Sequence, residues 1–295
     1  MVSTYSIKDL EQLSGIKAHT LRIWEQRYDF IKPKRTDTNI RYYDDKDLKL
    51  ILNVSLLKDN GHKISKISKM PIDKMQEEVL KLTENKLSFP EQIHALTLSM
   101  IDHDEERFEK IISTLILKLG FEKTMIKVIY PFLIKIGILW QTGSISPTQE
   151  HFISNLIRQK IIVAIDGLFV PSMEYKKKYL LFLPENELHE LSLLFSAYLI
   201  KSRKNKIIYI GQNTPYEDLI NVFNSTKPHF LMTVMTSYPK TADIQDYINK
   251  LSKKFHNNKI LITGRKVLEQ EITIRNNVVV LNELEDLVDF LTENS

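Results

Sequence analysis

At 295 residues, 43% of them hydrophobic, the chain can fill the cores of about two to three ordinary domains, and its lack of cysteine excludes disulfides, thiolate metal sites and cysteine nucleophiles. No run approaches the roughly 20 apolar residues that span a bilayer, and Met1 to Asp9 has neither an apolar signal core nor a cleavage site, so the expected place is the cytoplasm, with no membrane partner. The net charge of +4 is uneven: residues 1–75 hold 15 Lys and Arg against 10 Asp and Glu, whereas residues 76–295 hold 26 against 27. A basic module on a neutral body is the footprint of phosphate binding.

Ser6 is placed to cap a first helix, Asp9 favours its positive end, and Ile7, Leu10 and Leu13 recur on one face. Gly15 supplies a tight turn, and Lys17 to Tyr28 reads as a second helix with Ile16, Leu21 and Trp24 facing the core. Two short helices around such a turn suggest a helix-turn-helix, whose outward positions His19, Thr20, Arg22 and Arg27 suit phosphate oxygens and major-groove edges. Lys32 to Arg35, Thr36 to Ile40 and Arg41-Tyr42-Tyr43 then read as a basic wing, with Arg35, Arg41 and Tyr43 as further DNA contacts. Asp44-Asp45 starts another helix with Leu48, Ile51 and Leu52 inward.

The series Tyr5-Ser6-Ile7, Ser14-Gly15-Ile16, Thr20 to Glu25, Pro33-Lys34-Arg35 and Asn39 to Tyr43 resembles the MerR family over about the first 70 residues. The resemblance implies a winged helix-turn-helix that binds a pseudo-palindromic double-stranded operator as a homodimer at least.

Pro71 to Pro90 is charged, without a strong strand signal, and reads as a connector. From Glu91 to Phe169 apolar residues recur at helical spacing in four groups, which predicts a small antiparallel four-helix bundle. Within it Trp140 is followed after nine residues by Glu150-His151, with Gly143 and Pro147 marking the loop between. Taken singly, a tryptophan at a helix end is ordinary core and a Glu-His pair an ordinary surface pair. Together they resemble the cap of cobalamin-binding regulators of the CarH/LitR-like light-dependent repressor type, which implies that Trp140, Glu150 and His151 serve the upper face of a corrin.

Five apolar runs follow, at Tyr179–Pro184, Ile207–Gly211, Phe230–Met235, Lys259–Thr263 and Val278–Leu281, separated by amphipathic helical stretches. This alternation predicts a parallel sheet of flavodoxin-like (Rossmann-type) winding, with ligands beyond the carboxyl ends of its strands, at Glu185–Ser192, Thr233–Ser237 and Thr263-Gly264. Glu187, His189 and Ser192 resemble the cobalamin-binding motif of an acid, a histidine two residues on, and a glycine three beyond that. The resemblance implies His189 as lower ligand to cobalt, oriented by Glu187, with Gly264 in the binding loops. Ser192 replaces the motif glycine, Val234 falls near a position where serine is frequent, and Thr263-Gly264 stands where two glycines are usual.

The expected fold class is therefore multidomain: an all-α winged helix-turn-helix head (1–75), a linker (76–90), a four-helix bundle (91–173) and an α/β sheet domain (174–295). The leading function is a repressor controlled by adenosylcobalamin, with light as the signal and a dimer or tetramer as the assembly. A second reading keeps the MerR-type regulator without the cofactor, the body serving oligomerisation or a protein anti-repressor. A cobalamin-dependent methyltransferase or mutase needs a substrate domain for which no residues remain, and no zinc spacing or Gly-rich phosphate loop is visible, so no enzyme is expected. Lys176-Lys177-Lys178 reads as a solvated entrance to a strand, with an auxiliary phosphate contact as the alternative.

Overall fold

The computed structural model describes residues 4–28, 30–36, 38–85, 89–141, 145–169, 171, 174–237 and 244–294. The chain divides into two compact units, Met1–Asn155 and Leu156–Ser295.

The first unit opens with α1 (Ile7–Ser14), where Ser6 and Asp9 satisfy each other's backbone N–H in a capping box and Gly15 ends the helix at φ 73°. Next come α2 (Ala18–Tyr28) and the antiparallel wing strands β1 (Lys34–Arg35) and β2 (Arg41–Tyr42), which pair Lys34 with Tyr42 and Arg35 with Arg41. Helix α3 (Asp45–Asp59) is capped by Asp44 and buries Leu48, Ile51 and Leu52 as its pattern predicts. Its burial runs on unbroken from Ile51 through Leu57, Asn53 and Ser55 included. The cause is that α3 packs on α1 and also on α4 (Ile64–Ile67), α5 (Ile72–Asn85) and α6 (Phe89–Asp102). Ser55 Oγ donates to the Ser14 carbonyl at 2.8 Å, and Lys49 on α3 pairs with Asp102, which also takes Arg107 at 3.0 Å. The stretch read as a connector is thus largely helix α5, docked by Met75 and Val79.

Three further helical rods complete the predicted four. These are α7 (Glu105–Leu119), the rod formed by α8 (Phe121–Thr124), a π-helical turn (Met125–Ile129) and α9 (Tyr130–Gln141), and α10 (Pro147–Asp166). The division between the two units falls inside α10. Gly143 lies outside the described residues. Helix α6 buries polar residues as well as apolar ones, among them His94, whose pKa burial presses down to about 3 with help from the Lys135 charge. Burial likewise lowers Lys135 of α9 to about 8.

In the second unit the elements alternate: β3 (Lys178–Pro184), α11 (Leu191–Ser202), β4 (Lys206–Thr214), α12 (Tyr216–Thr226), β5 (Phe230–Val234), α13 (Ile244–Lys254), β6 (Lys259–Thr263), α14 (Arg265–Leu268), β7 (Val278–Val280) and α15 (Leu284–Glu293). All neighbours are parallel in the order β4-β3-β5-β6-β7, the flavodoxin-like winding that the five apolar runs predict. Leu180, Phe182, Leu231, Ile260 and Ile262 point to the face covered by α12 and α13. Their alternates Leu181, Met232 and Leu261 are equally buried, which is why the central strands read as unbroken apolar runs. The order reverses between β3 and β5, so the loops after those two strands flank the switch point where such sheets bind ligands. No helix among the described residues is long and apolar enough to cross a membrane.

Candidate functional site

The loop after β3 is built around one buried carboxylate. Glu187 is fully buried, and its Oε1 receives the backbone N–H of Leu188 and of His189, each at 3.0 Å. Its Oε2 receives the N–H of Thr236 at 2.8 Å and of Ser237 at 2.6 Å, from the loop after β5. Every one of these partners donates, as an ionised carboxylate, which only accepts, requires. His189 Nδ1 then lies 2.7 Å from Glu187 Oε1, with the imidazole 63% exposed. A proton on Nδ1 satisfies that contact and leaves Nε2 with its lone pair, the tautomer that ligates a metal.

The end of β4 holds the same loop from its other side. Asn213 Oδ1 accepts from Asn186 N at 2.8 Å, Asn213 N donates to the Glu187 carbonyl at 3.1 Å, and Gln212 Nε2 donates to the Leu188 carbonyl at 2.9 Å. Glu190 is tied to Arg158 of α10 at 2.5 Å and to the Tyr209 hydroxyl at 3.2 Å. Burial, then the Glu190 charge, pushes the Tyr209 phenol well above its usual range and keeps it a neutral donor.

Ser192 sits half-buried in the first turn of α11, and Gly264 follows β6 at φ 108°. A Cβ on Gly264 would stand 2.5 Å from the Met235 carbonyl oxygen, so the β5 and β6 ends approach as closely as only glycine permits. Val234 and Thr263 are register partners. Val234 is 1% exposed, and the Thr263 hydroxyl is committed to the Leu281 carbonyl at 2.7 Å. The residues present fit the ligand end of a cobalamin site, a histidine with one nitrogen fixed and its ring open to solvent. Where a nucleotide tail needs room, they carry extra side-chain atoms.

Of the cap residues, Trp140 is 47% exposed near the end of α9. Glu150 bridges two neighbours on α10, accepting from Ser154 Oγ at 2.5 Å and lying 3.0 Å from Nδ1 of His151. The His151 ring is 70% exposed. An indole on the surface and a carboxylate-oriented imidazole are both available to a ligand.

On the head, His19, Arg22, Arg27, Arg35 and Arg41 are exposed and Thr20 is half-exposed. Arg35 is braced across the wing turn by the Asn39 side chain at 2.6 Å. Tyr43 corrects the expectation of a DNA contact: it is fully buried, bridges to Tyr5 through paired backbone hydrogen bonds, and gives its hydroxyl to Glu25. Burial, then that hydrogen bond, raises its pKa far above the usual range, so Tyr43 joins the wing to α2 as a core residue.

Ser237 falls at the end of the predicted segment Thr233–Ser237, without a role assigned from the sequence; its hydroxyl lies 3.1 Å from Glu187 Oε1 and 3.2 Å from His189 Nδ1, whereas Arg158 is not foreseen at all. The signal for Ser237 was its position just past a strand end at the switch point. Arg158 had none, because its partner is 32 residues away in the chain.

Residues 5–71 match the family described as MerR HTH family regulatory protein, and residues 92–165 match the family described as B12 binding domain. The chain is 26% identical over 254 residues to the HTH-type transcriptional repressor CarH of Myxococcus xanthus, covering 84% of each chain. To the repressor CarA of the same organism it is 25% identical over 217 residues, 72% of this chain and 69% of that one. A monomethylamine corrinoid protein of Methanosarcina barkeri shares the fold with a TM-score of 0.55 at 11% identity, over 70% of this chain and 99% of that one. The chain therefore joins a MerR-type DNA-binding head to a B12 binding domain.

Proposed function

We propose that this chain is a transcription repressor whose operator binding is set by adenosylcobalamin. The observation that carries this reading is the Glu187–His189 pair, in which a fully buried, many-times-bonded carboxylate fixes Nδ1 of an exposed imidazole. His189 is assigned as lower ligand to cobalt through Nε2, Glu187 and Ser237 as its positioning residues, and Trp140, Glu150 and His151 as the groups serving the upper face. When bound, adenosylcobalamin supplies a cobalt–carbon bond that light can break, which makes light the proposed signal. The head binds duplex DNA through His19, Thr20, Arg22, Arg27, Arg35 and Arg41, as a dimer or tetramer.

Gel retardation of promoter DNA tests this, with apoprotein and with adenosylcobalamin-loaded protein, in darkness and after green illumination. The expected result is tight binding in one loading state, lost on illumination and lost in His189→Ala. Equal binding in all states contradicts it. A second reading, a cofactor-independent regulator whose body serves oligomerisation or an anti-repressor, is favoured by buried Val234 and the committed hydroxyl of Thr263 on the side where a tail needs space. It predicts DNA binding indifferent to any corrin.

A further inference from the structure

Residues 174–295 hold 16 Lys and Arg against 15 Asp and Glu, an almost neutral domain by composition. The fold sorts these charges. In an all-parallel sheet every strand begins, and every covering helix ends, on one edge. Of the 15 cations among the described residues, 12 fall in the segments 176–178, 201–206, 227, 253–259 and 275 at that edge. The acids there are Glu174 and Glu293, with Asp289 one turn further in.

Cations at helix C-termini are an ordinary complement to the helix dipole, and that accounts for Lys201, Lys227, Lys253 and Lys254. It does not account for Lys206 and Lys259, the first residues of β4 and β6, or for Lys176, two residues before β3. Lys178 and Lys206 are register partners on adjacent strands, Lys178 giving its ammonium to the Thr226 carbonyl at 2.5 Å and Lys206 standing exposed. Lys204 pairs with Glu174 at 2.7 Å, but Lys176, Lys177, Lys206, Lys227 and Arg275 make no ion pair among the described residues. Elsewhere the chain does neutralise its lysines: Lys34 takes both Asp44 and Asp47.

We propose that this edge of the sheet, opposite the Glu187–His189 loop, is a second polyanion-binding surface and that it holds the phosphate backbone of duplex DNA. The charges lie along the starts of four adjacent strands, a row about 15 Å long at the usual interstrand spacing, which matches phosphates rather than one compact anion. The choice of DNA rests on the DNA-binding reading of the head, while the surface stands without it. The contact is sequence-independent and adds affinity and salt sensitivity without base readout.

The test compares four full-length proteins: the parent, the edge variant Lys176→Gln/Lys206→Gln/Lys227→Gln/Lys259→Gln, the head variant Arg22→Ala/Arg41→Ala, and their combination. Each is titrated with operator and with non-operator duplex at several salt concentrations, and its melting temperature checks folding. All four edge lysines are exposed or at a strand start, so the edge variant is expected to melt with the parent. The expected result is that the edge variant binds both duplexes at least tenfold more weakly near physiological salt. The slope of log K against log salt is expected to be shallower by about 0.9 for each lost phosphate contact. The head variant is expected to keep a residual salt-sensitive binding that vanishes in the combination. An edge variant with the parent's affinity and slope overturns the proposal. So does an edge variant that alters only co-sedimentation with phosphatidylserine vesicles, which assigns the surface to a membrane. A head variant that binds operator like the parent refutes the reading of the head and leaves the edge result interpretable.

Discussion

The head and the loop after β3 carry their functional charges in opposite ways. On the head, Arg22, Arg27 and Arg41 stand in solvent above an apolar core of Leu10, Leu21, Trp24 and Leu48, so their chemistry is separable from folding. In the sheet domain the charge is inside: Glu187 is fully buried and holds together the loops after β3 and β5 while it orients His189. The first arrangement lets a binding residue change at little structural cost. The second makes ligand geometry and local stability one property.

Removing the carboxylate is the strongest way to break this contrast. Glu187→Ala removes the buried acceptor shared by the half-buried Thr236 N–H and the more exposed Ser237 N–H and is expected to cost about 1–3 kcal/mol, lowering the melting temperature by several degrees. Differential scanning calorimetry reads the shift, and an unchanged melting temperature would mean that the network contributes nothing to folding. Gly264→Ala comes next, at about 1–3 kcal/mol, since φ 108° disfavours any side chain and the Met235 carbonyl blocks the methyl group. Its urea midpoint is expected to fall with the slope unchanged.

A third effect belongs to the first unit. His94, held neutral with its pKa near 3, binds no proton in the fold over a range where the unfolded chain, titrating near the usual 6.5, does. Stability from this group is therefore full above about 6.5 and falls as pH drops from there toward 3. In His94→Leu that part of the acid dependence disappears, so the gap in urea midpoint between the two proteins changes as pH falls from 7 to 4.5. The smallest expected structural effect is that of Arg22→Ala, within about 0.5 kcal/mol of the parent, accompanied by a clear loss of operator affinity. An Arg22→Ala protein that unfolds early would erase the contrast between head and loop.

Local signals made much of this legible. The capping box of Ser6 and Asp9, the turn at Gly15, the helical spacing of apolar residues in the bundle and the apolar runs of the sheet are written within a few residues of each other. Glu187 and His189 were readable for the same reason, being two residues apart. What could not be read depended on distant partners. Tyr43 belongs to a motif on the wing, yet its side chain turns inward to Glu25 because Tyr5 pairs with its backbone. The all-round burial of α3 arises from packing on α5 and α6, which no periodicity within α3 announces. Arg158, the pairing of Ser237 with Glu187 and the sorting of charges to one edge of the sheet follow from topology, which brings together residues tens of positions apart.

The most direct test of the central claim is a visible absorption spectrum of protein purified in darkness with adenosylcobalamin and freed of unbound cofactor by gel filtration, recorded for the parent and for His189→Ala. The account predicts a corrin that co-elutes with the parent at one equivalent per chain and a changed spectrum or weaker retention in the variant. A colourless parent that still retards promoter DNA, or a variant whose bound corrin is spectrally identical to the parent's, contradicts the assignment of His189 as the cobalt ligand.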